Sequence, residues 1–231
     1  MKYKNIHKGT FISRENRFIA TVNINGKTET VHVKNTGRCR ELFVSGATVF
    51  LEKSDNPDRK TKYDLVAVMK GKRMVNVDSQ IPNAAAEEWI RAGKFIPDIC
   101  LVKREVTYVK SRFDLYVEHM GLDGTAKKAF IEVKGVTLEE HNVVRFPDAP
   151  TERGIKHIKE LIKCLEDGYE AYLLFVIQMK DVKYFEPDKK IHAEFASVLK
   201  EAKEKGVHVV ACDSYVTEDS IEIGEAVPVR I

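Results

Sequence analysis

The pattern of apolar residues changes character once along this chain, and that change constrains the fold more than any other feature. Up to Asp78 the apolar positions alternate in short runs, the spacing of half-buried strands. Beyond Ile81-Pro82 the three- and four-residue spacing of helices enters and mixes with further strands. A unit of strands alone followed by a mixed unit predicts two domains, residues 1–81 and 82–231, in a mixed α/β chain. With 231 residues, 43 % of them apolar, the chain is long enough for two modest cores.

In the first unit, Phe11 to Val22 reads as a strand broken by a charged turn, and Asn25-Gly26 is a hairpin signal. Alternation over Thr28–Val33, Ala47–Lys53, Tyr63–Met69 and Met74–Asp78 brings the total to five or six short strands. A small β-barrel of the oligonucleotide/oligosaccharide-binding (OB) type is the leading expectation. Between these strands, Asn35-Thr36-Gly37-Arg38-Cys39-Arg40-Glu41-Leu42 reads as a turn opening into one short helix. Arg14, Arg17, Arg38 and Arg40 all lie in or beside loops. They are either a grip on nucleic-acid backbone or surface charges offset by Glu15 and Glu41.

The second unit opens with a helix over Asn83–Gly93, with Asn83 as its cap and Gly93 as its terminator. Strands follow over Arg104–Val109, Arg112–Glu118 and Ala129–Lys134, the last two joined by a polar turn at Gly121-Leu122-Asp123-Gly124. Ile155, Ile158, Leu161, Ile162 and Leu165 place a helix over Thr151–Asp167. The apolar run in Ala171–Gln178 is that of a strand buried on both faces. A helix over His192–Lys205, a strand over Val207–Ala211 and a weakly alternating tail complete the chain.

Two places carry chemistry. In the second strand of the hairpin Phe130, Glu132 and Lys134 share a face, and the turn brings Asp114 near it. Two carboxylates can hold a divalent metal such as Mg²⁺ through oxygen ligands, with the lysine free to position a nucleophile or neutralise an oxyanion. The plainer alternative is an edge hairpin with a cross-strand salt bridge. The other place is the start of the helix after Phe146-Pro147-Asp148-Ala149-Pro150, where Arg153, Lys156 and His157 crowd the first turns. Cations oppose the helix dipole there, unless they serve a phosphate bound at that end.

Composition sets the limits. A net charge of +3 and a pI near 8.5 permit a phosphate-bearing partner without requiring one. Cys39, Cys100, Cys164 and Cys212 are too scattered for a zinc site or a disulfide framework. Neither a signal peptide nor a run of roughly 20 apolar residues is present, so a cytoplasmic location with no membrane partner is expected.

Taken together, Asn35–Leu42, Ser111–Asp114, Ile131-Glu132-Val133-Lys134-Gly135-Val136-Thr137-Leu138 and Phe146–His157 resemble the sugar fermentation stimulation protein A family, in family order. The resemblance implies an OB-type barrel followed by a domain like the PD-(D/E)xK nucleases. It also implies DNA, with RNA as the other candidate, as partner, and a link to sugar metabolism. Carried over by position, Asp114 and Glu132 are the two acids of the nuclease motif and Lys134 its lysine. Phe113 stands where that motif has proline, and the upstream helix acid is Glu87 or Glu88. Mg²⁺ or Mn²⁺ would be held by Asp114, Glu132 and the Val133 carbonyl. Arg14, Arg17, Arg38, Arg40, Arg112, Arg153, Lys156 and His157 would contact nucleic acid. Three functions compete: a metal-dependent nuclease, a non-catalytic DNA-binding regulator that keeps the nuclease fold, and an RNA- or nucleotide-processing enzyme.

Overall fold

A computed structural model describes residues 1–231. The first unit holds β1 (Ile6–Arg14), β2 (Ile19–Ile24), β3 (Lys27–Val33), β4 (Thr48–Lys53), β5 (Tyr63–Lys70) and β6 (Arg73–Asn76). Antiparallel ladders join β1 to β2 and β4, β2 to β3, and β4 to β5. A parallel pairing of β3 with β5, at His32↔Asp64 and Val33↔Leu65, closes these five strands into a barrel. Closure leaves no open edge, the usual solution for a small all-β unit. Val22, Val31, Val49, Leu51, Leu65 and Val68 fill the interior. Asn25 (φ 52°) and Gly26 (φ 81°) are both left-handed, as a tight β2–β3 turn requires.

One local expectation fails in the barrel. No helix follows Arg38: the chain makes a single turn, with the Leu42 and Phe43 N–H groups donating to the Cys39 carbonyl. Cys39 has φ 44°, outside the right-handed helical region. The carbonyls that a helix would use are taken from outside the loop by Arg14.

The second unit comprises α1 (Ile81–Arg91), β7 (Ile99–Tyr108), β8 (Ser111–Met120), β9 (Ala126–Val136), β10 (Glu139–Glu140), β11 (Val143–Phe146), α2 (Glu152–Glu166), β12 (Glu170–Ile177), β13 (Tyr184–Pro187), α3 (Ala193–Glu204), β14 (His208–Val216) and β15 (Ile221–Ala226). Six strands form one sheet in the order β15-β14-β12-β9-β8-β7. β12 lies parallel to both β9 and β14, which explains its continuous apolar run. Leu115, Val117, Ile131, Val133, Leu174 and Val176 share one apolar cluster with α1. Phe130, Leu173 and Phe175 share the other with α2 and α3. β10, β11 and β13 form a separate small sheet, unanticipated because its strands are two to four residues long and pair across distant sequence.

The helix α1 starts three residues earlier than its cap signal suggests. Gln80 is the N-cap and Pro82 sits in the first turn, where a missing N–H costs nothing. Asn83 is therefore inside the helix, and its side chain is free for another task. Thr151 does cap α2, its Oγ1 accepting from the Gly154 N–H at 3.0 Å.

None of β1–β6 joins the six-stranded sheet, yet the two units share structure. Barrel residues and the α2/α3 layer belong to one continuous apolar cluster. The buried Gln178 amide donates to Asn76 Oδ1 and to the Asp78 carbonyl, both at 2.9 Å. Lys70 and Arg73, at the β5–β6 turn, reach the buried Glu139 at 2.6 and 3.2 Å. The first residues lie against the second unit, with the Tyr3 N–H donating to the Asp219 carbonyl at 2.7 Å. No helix is long and apolar enough to cross a membrane.

Candidate active site

The β8–β9 ladder runs from Met120↔Ala126 to Leu115↔Ile131 and stops there. Asp114 is the next residue on β8. Its Oδ2 takes over the ladder by accepting the Val133 N–H at 2.8 Å, while Oδ1 accepts from the Asn83 side-chain amide of α1 at 2.7 Å. The strands thus part where the acids are, and a side chain replaces a main-chain partner. Burial raises the Asp114 pKa above its ordinary value, and the neighbouring Glu132 charge raises it further.

Glu132 is almost fully buried. Burial alone would raise its pKa, but the net shift is downward, because His157 and Lys134 both stabilise the carboxylate. Lys134 Nζ donates to Glu132 Oε1 at 2.5 Å, and His157 Nδ1 donates to that same oxygen. Since the carboxylate can only accept, His157 carries its proton on Nδ1; Arg153 Nε approaches the other ring nitrogen at 3.5 Å. Glu132 Oε2 has no hydrogen-bond partner although it is buried. Both donors crowd one oxygen and leave the other bare.

That asymmetry bears on whether a metal fits. No three His, Cys, Asp or Glu side chains are grouped to hold an ion. The side-chain ligand set is two carboxylates, one with a buried oxygen lacking any other partner. This suits a hard cation that keeps several of its waters, as Mg²⁺ does. The donor set fits.

The expected contacts to nucleic acid divide into several kinds. His157 turns inward onto Glu132 and is buried, so it does not present itself to a phosphate. Lys156 Nζ donates to the Lys110 carbonyl at 2.9 Å. Arg112 is exposed and faces Glu105 at 3.4 Å. Arg153 is exposed near the site. In the barrel, Arg14 is a brace: its guanidinium donates to the carbonyls of Gly37, Arg38, Arg17 and Asn35 at 2.7–2.9 Å. Burial lowers its pKa. Arg17, Arg38 and Arg40 stand exposed on the loops that Arg14 fixes.

Of the two candidate helix acids, Glu88 binds the Met1 amino group at 2.5 Å, and Glu87 is tied to Arg91 at 2.9 Å and Arg104 at 3.6 Å. The α1 residue that touches Asp114 is Asn83, one turn before Glu87 on the same helical face. Sequence reasoning assigned Asn83 to the cap and so missed it. Its only signal is the four-residue spacing from Glu87.

A closed OB-type barrel joined to a mixed sheet with helices on both faces, carrying an acid–acid–lysine cluster where two strands separate, defines the class. The SfsA N-terminal OB domain model matches residues 12–77, and the sugar fermentation stimulation protein RE domain model matches residues 80–220. A sugar fermentation stimulation protein homolog of Clostridium beijerinckii is 57 % identical over 229 residues, 99 % of each chain. One from Ruminiclostridium cellulolyticum is 56 % identical over 231 residues, the full length of both. The structure of Pyrococcus furiosus SfsA in complex with Ca²⁺ is similar with a TM-score of 0.87 at 29 % identity, covering 100 % of this chain and 98 % of that one. This chain belongs to the sugar fermentation stimulation protein family.

Proposed function

We propose that the chain binds nucleic acid, DNA in the first instance, and hydrolyses its phosphodiesters at Asp114, Glu132 and Lys134 with Mg²⁺ or Mn²⁺. The observation that carries this reading is the bare Glu132 Oε2. A buried carboxylate oxygen without a donor is costly unless a cation completes it. The Pyrococcus furiosus relative is described in complex with Ca²⁺, a hard, oxygen-seeking ion, which supports such a site.

When bound, the metal supplies charge for the phosphate oxygens and a more acidic water. The chain's own residues do the rest. Asn83 and the Val133 N–H orient the Asp114 carboxylate. His157 holds Glu132 ionised with Oε2 free. The Lys134 ammonium, paired with Glu132 Oε1, is placed to donate to an incoming water or to a phosphate oxygen. Water adds to phosphorus, the ester P–O bond breaks, and the leaving oxygen takes up a proton.

The second reading is a DNA-binding regulator without catalysis. The observation favouring it is that Lys134 already balances the Glu132 charge, and His157 adds an N–H donor, without metal. An assay on single-stranded, duplex and RNA substrates with Mn²⁺ decides between them. Cleavage that disappears in Asp114→Asn and Glu132→Gln supports hydrolysis. Binding without cleavage at any metal concentration supports the regulator.

A further inference from the structure

Three recesses meet around the loop that Arg14 braces. One, of about 340 Å³, lies at the junction of barrel and sheet; Arg17, Thr36 and Arg38 line one wall, and Gly135 and Thr137 the other. A second, of about 350 Å³, runs past Phe18 and shares Asn35, Thr36 and Ser79 with the first. A third, of about 280 Å³, lies among Arg17, Arg38, Arg40 and Phe43 and shares Arg17, Gly37 and Arg38 with it. Adjoining through these shared residues, the three outline a groove. Its junction wall includes Gly135, whose Cβ side faces Pro82, the residue before the Asn83 that bonds Asp114, so this end of the groove lies on the α1 side of the strand that carries the cluster.

We infer that this groove is the path of a single nucleic-acid strand, which passes over Phe18 and through the junction to the acids. The inference rests on the phosphodiester reading above and names its substrate class. Size is the first argument. Each recess is near the lower end of the range that holds one small ligand, enough for one nucleotide at a time. The walls cannot spread at their base: a Cβ on Gly37 would lie 2.5 Å from Asp148 Oδ2, so barrel loop and sheet domain already touch there. The shared apolar cluster holds them at that spacing. Recesses of that size suit one strand better than two.

Charge is the second argument. Arg17, Arg38 and Arg145 line the junction against one acid, Asp148. Arg145 is committed to Glu186 at 2.7 Å, which leaves Arg17 and Arg38 as the exposed cations for a backbone. Arg14 presets their main chain through its four carbonyl bonds, so little order is lost on binding. Phe18 is the third. It is 52 % exposed, a large aromatic beside Arg17 with no packing duty to explain it. Aromatic platforms flanked by arginine are how single strands are held without regard to sequence.

The experiment is fluorescence anisotropy in EDTA, so that nothing is cleaved, with a labelled oligo-dT, its oligo-U counterpart and a hairpin duplex of equal charge. The path requires that either single strand bind at least about tenfold tighter than the duplex. Phe18→Ala should weaken single-strand binding by about 5- to 150-fold, the range for losing one stacked base. Thr36→Trp, an exposed residue enlarged into the junction, should weaken it as well. Duplex binding as tight as single-strand binding overturns the path, as does unchanged affinity in both variants. Mn²⁺ calorimetry on the same preparations is independent of these readouts. Metal binding without strand preference overturns the path alone, whereas strand preference without metal binding overturns the hydrolysis alone.

Discussion

Glu132 and Glu139 lie seven residues apart on one stretch of chain, both buried, both held ionised below the ordinary glutamate range. For each, burial pushes upward and is outweighed by neighbours bearing N–H donors, His157 and Lys134 for Glu132, and Lys70, Asn142 and Arg73 for Glu139. Glu139 is complete: Oε2 meets Lys70 and Arg73, Oε1 accepts the Asn142 N–H at 2.5 Å, and neither oxygen lacks a partner. It fastens the barrel to the sheet domain. Glu132 receives both donors on Oε1 and none on Oε2, with the Asp114 carboxyl beside it. Burial and charge pairing are common to both residues; the unfinished oxygen is what separates the proposed site from a fastener.

The largest expected effect tests the fastener. Glu139→Gln should cost about 3 kcal/mol, because removing one partner of a buried pair strands the others. The corresponding fall in thermal midpoint is roughly 6–12 °C for a chain of this size. Its folded pKa is depressed, so its stabilisation is present above the unfolded glutamate pKa and is lost as pH falls through the folded one. The difference between wild type and variant should therefore shrink in acid, and chemical denaturation at several pH values checks it. Mn²⁺ affinity should be unchanged in Glu139→Gln and abolished in Glu132→Gln. An equal loss of metal in both would erase the distinction.

Next in size is His157→Ala. If His157 fixes which Glu132 oxygen is bare, Mn²⁺ affinity measured by calorimetry should fall by roughly 10- to 100-fold. His157→Gln, which can still donate an N–H, should recover part of it. A smaller effect concerns Asp114. Its folded pKa is raised, so its ionised form destabilises the metal-free protein above that pKa, and the cost fades as pH falls through it. Asp114→Asn should then raise the metal-free midpoint at pH 7.5 by roughly 2–4 °C, the shift that on the order of 1 kcal/mol produces. The gain should vanish in acid. Smallest is Arg112→Ala, whose exposed pair with Glu105 should be worth under about 1 kcal/mol by denaturation.

The hairpin that carries Asp114 and Glu132 was legible because its turn chemistry and alternation are local. The barrel was legible for the same reason, strand by strand. The features that shape the cluster are not local. The stop in the β8–β9 ladder, the amide of Asn83 turning to Asp114 and the inward turn of His157 each depend on an element from elsewhere in the chain. For His157 the sequence showed three basic residues at a helix start and suggested one shared phosphate. Helical geometry instead sends His157 inward while Arg153 and Lys156 stay exposed. The helix expected after Arg38 failed for a related reason: the decisive hydrogen bonds come from Arg14, more than twenty residues earlier.

Arg14 addresses only main-chain oxygens. Within 35–38, Asn35 is fixed by its side-chain bonds to the Val77 carbonyl and the Gly37 N–H, and Gly37 by its closeness to Asp148, while the exposed Thr36 and Arg38 can change without changing the path. Much of that path hangs on one planar, five-donor group. A lysine at position 14 would keep the charge but offers three donors from a single atom, too few and too close together to hold four carbonyls. The loop thus has one latch outside it, Arg14, and one within it, Asn35.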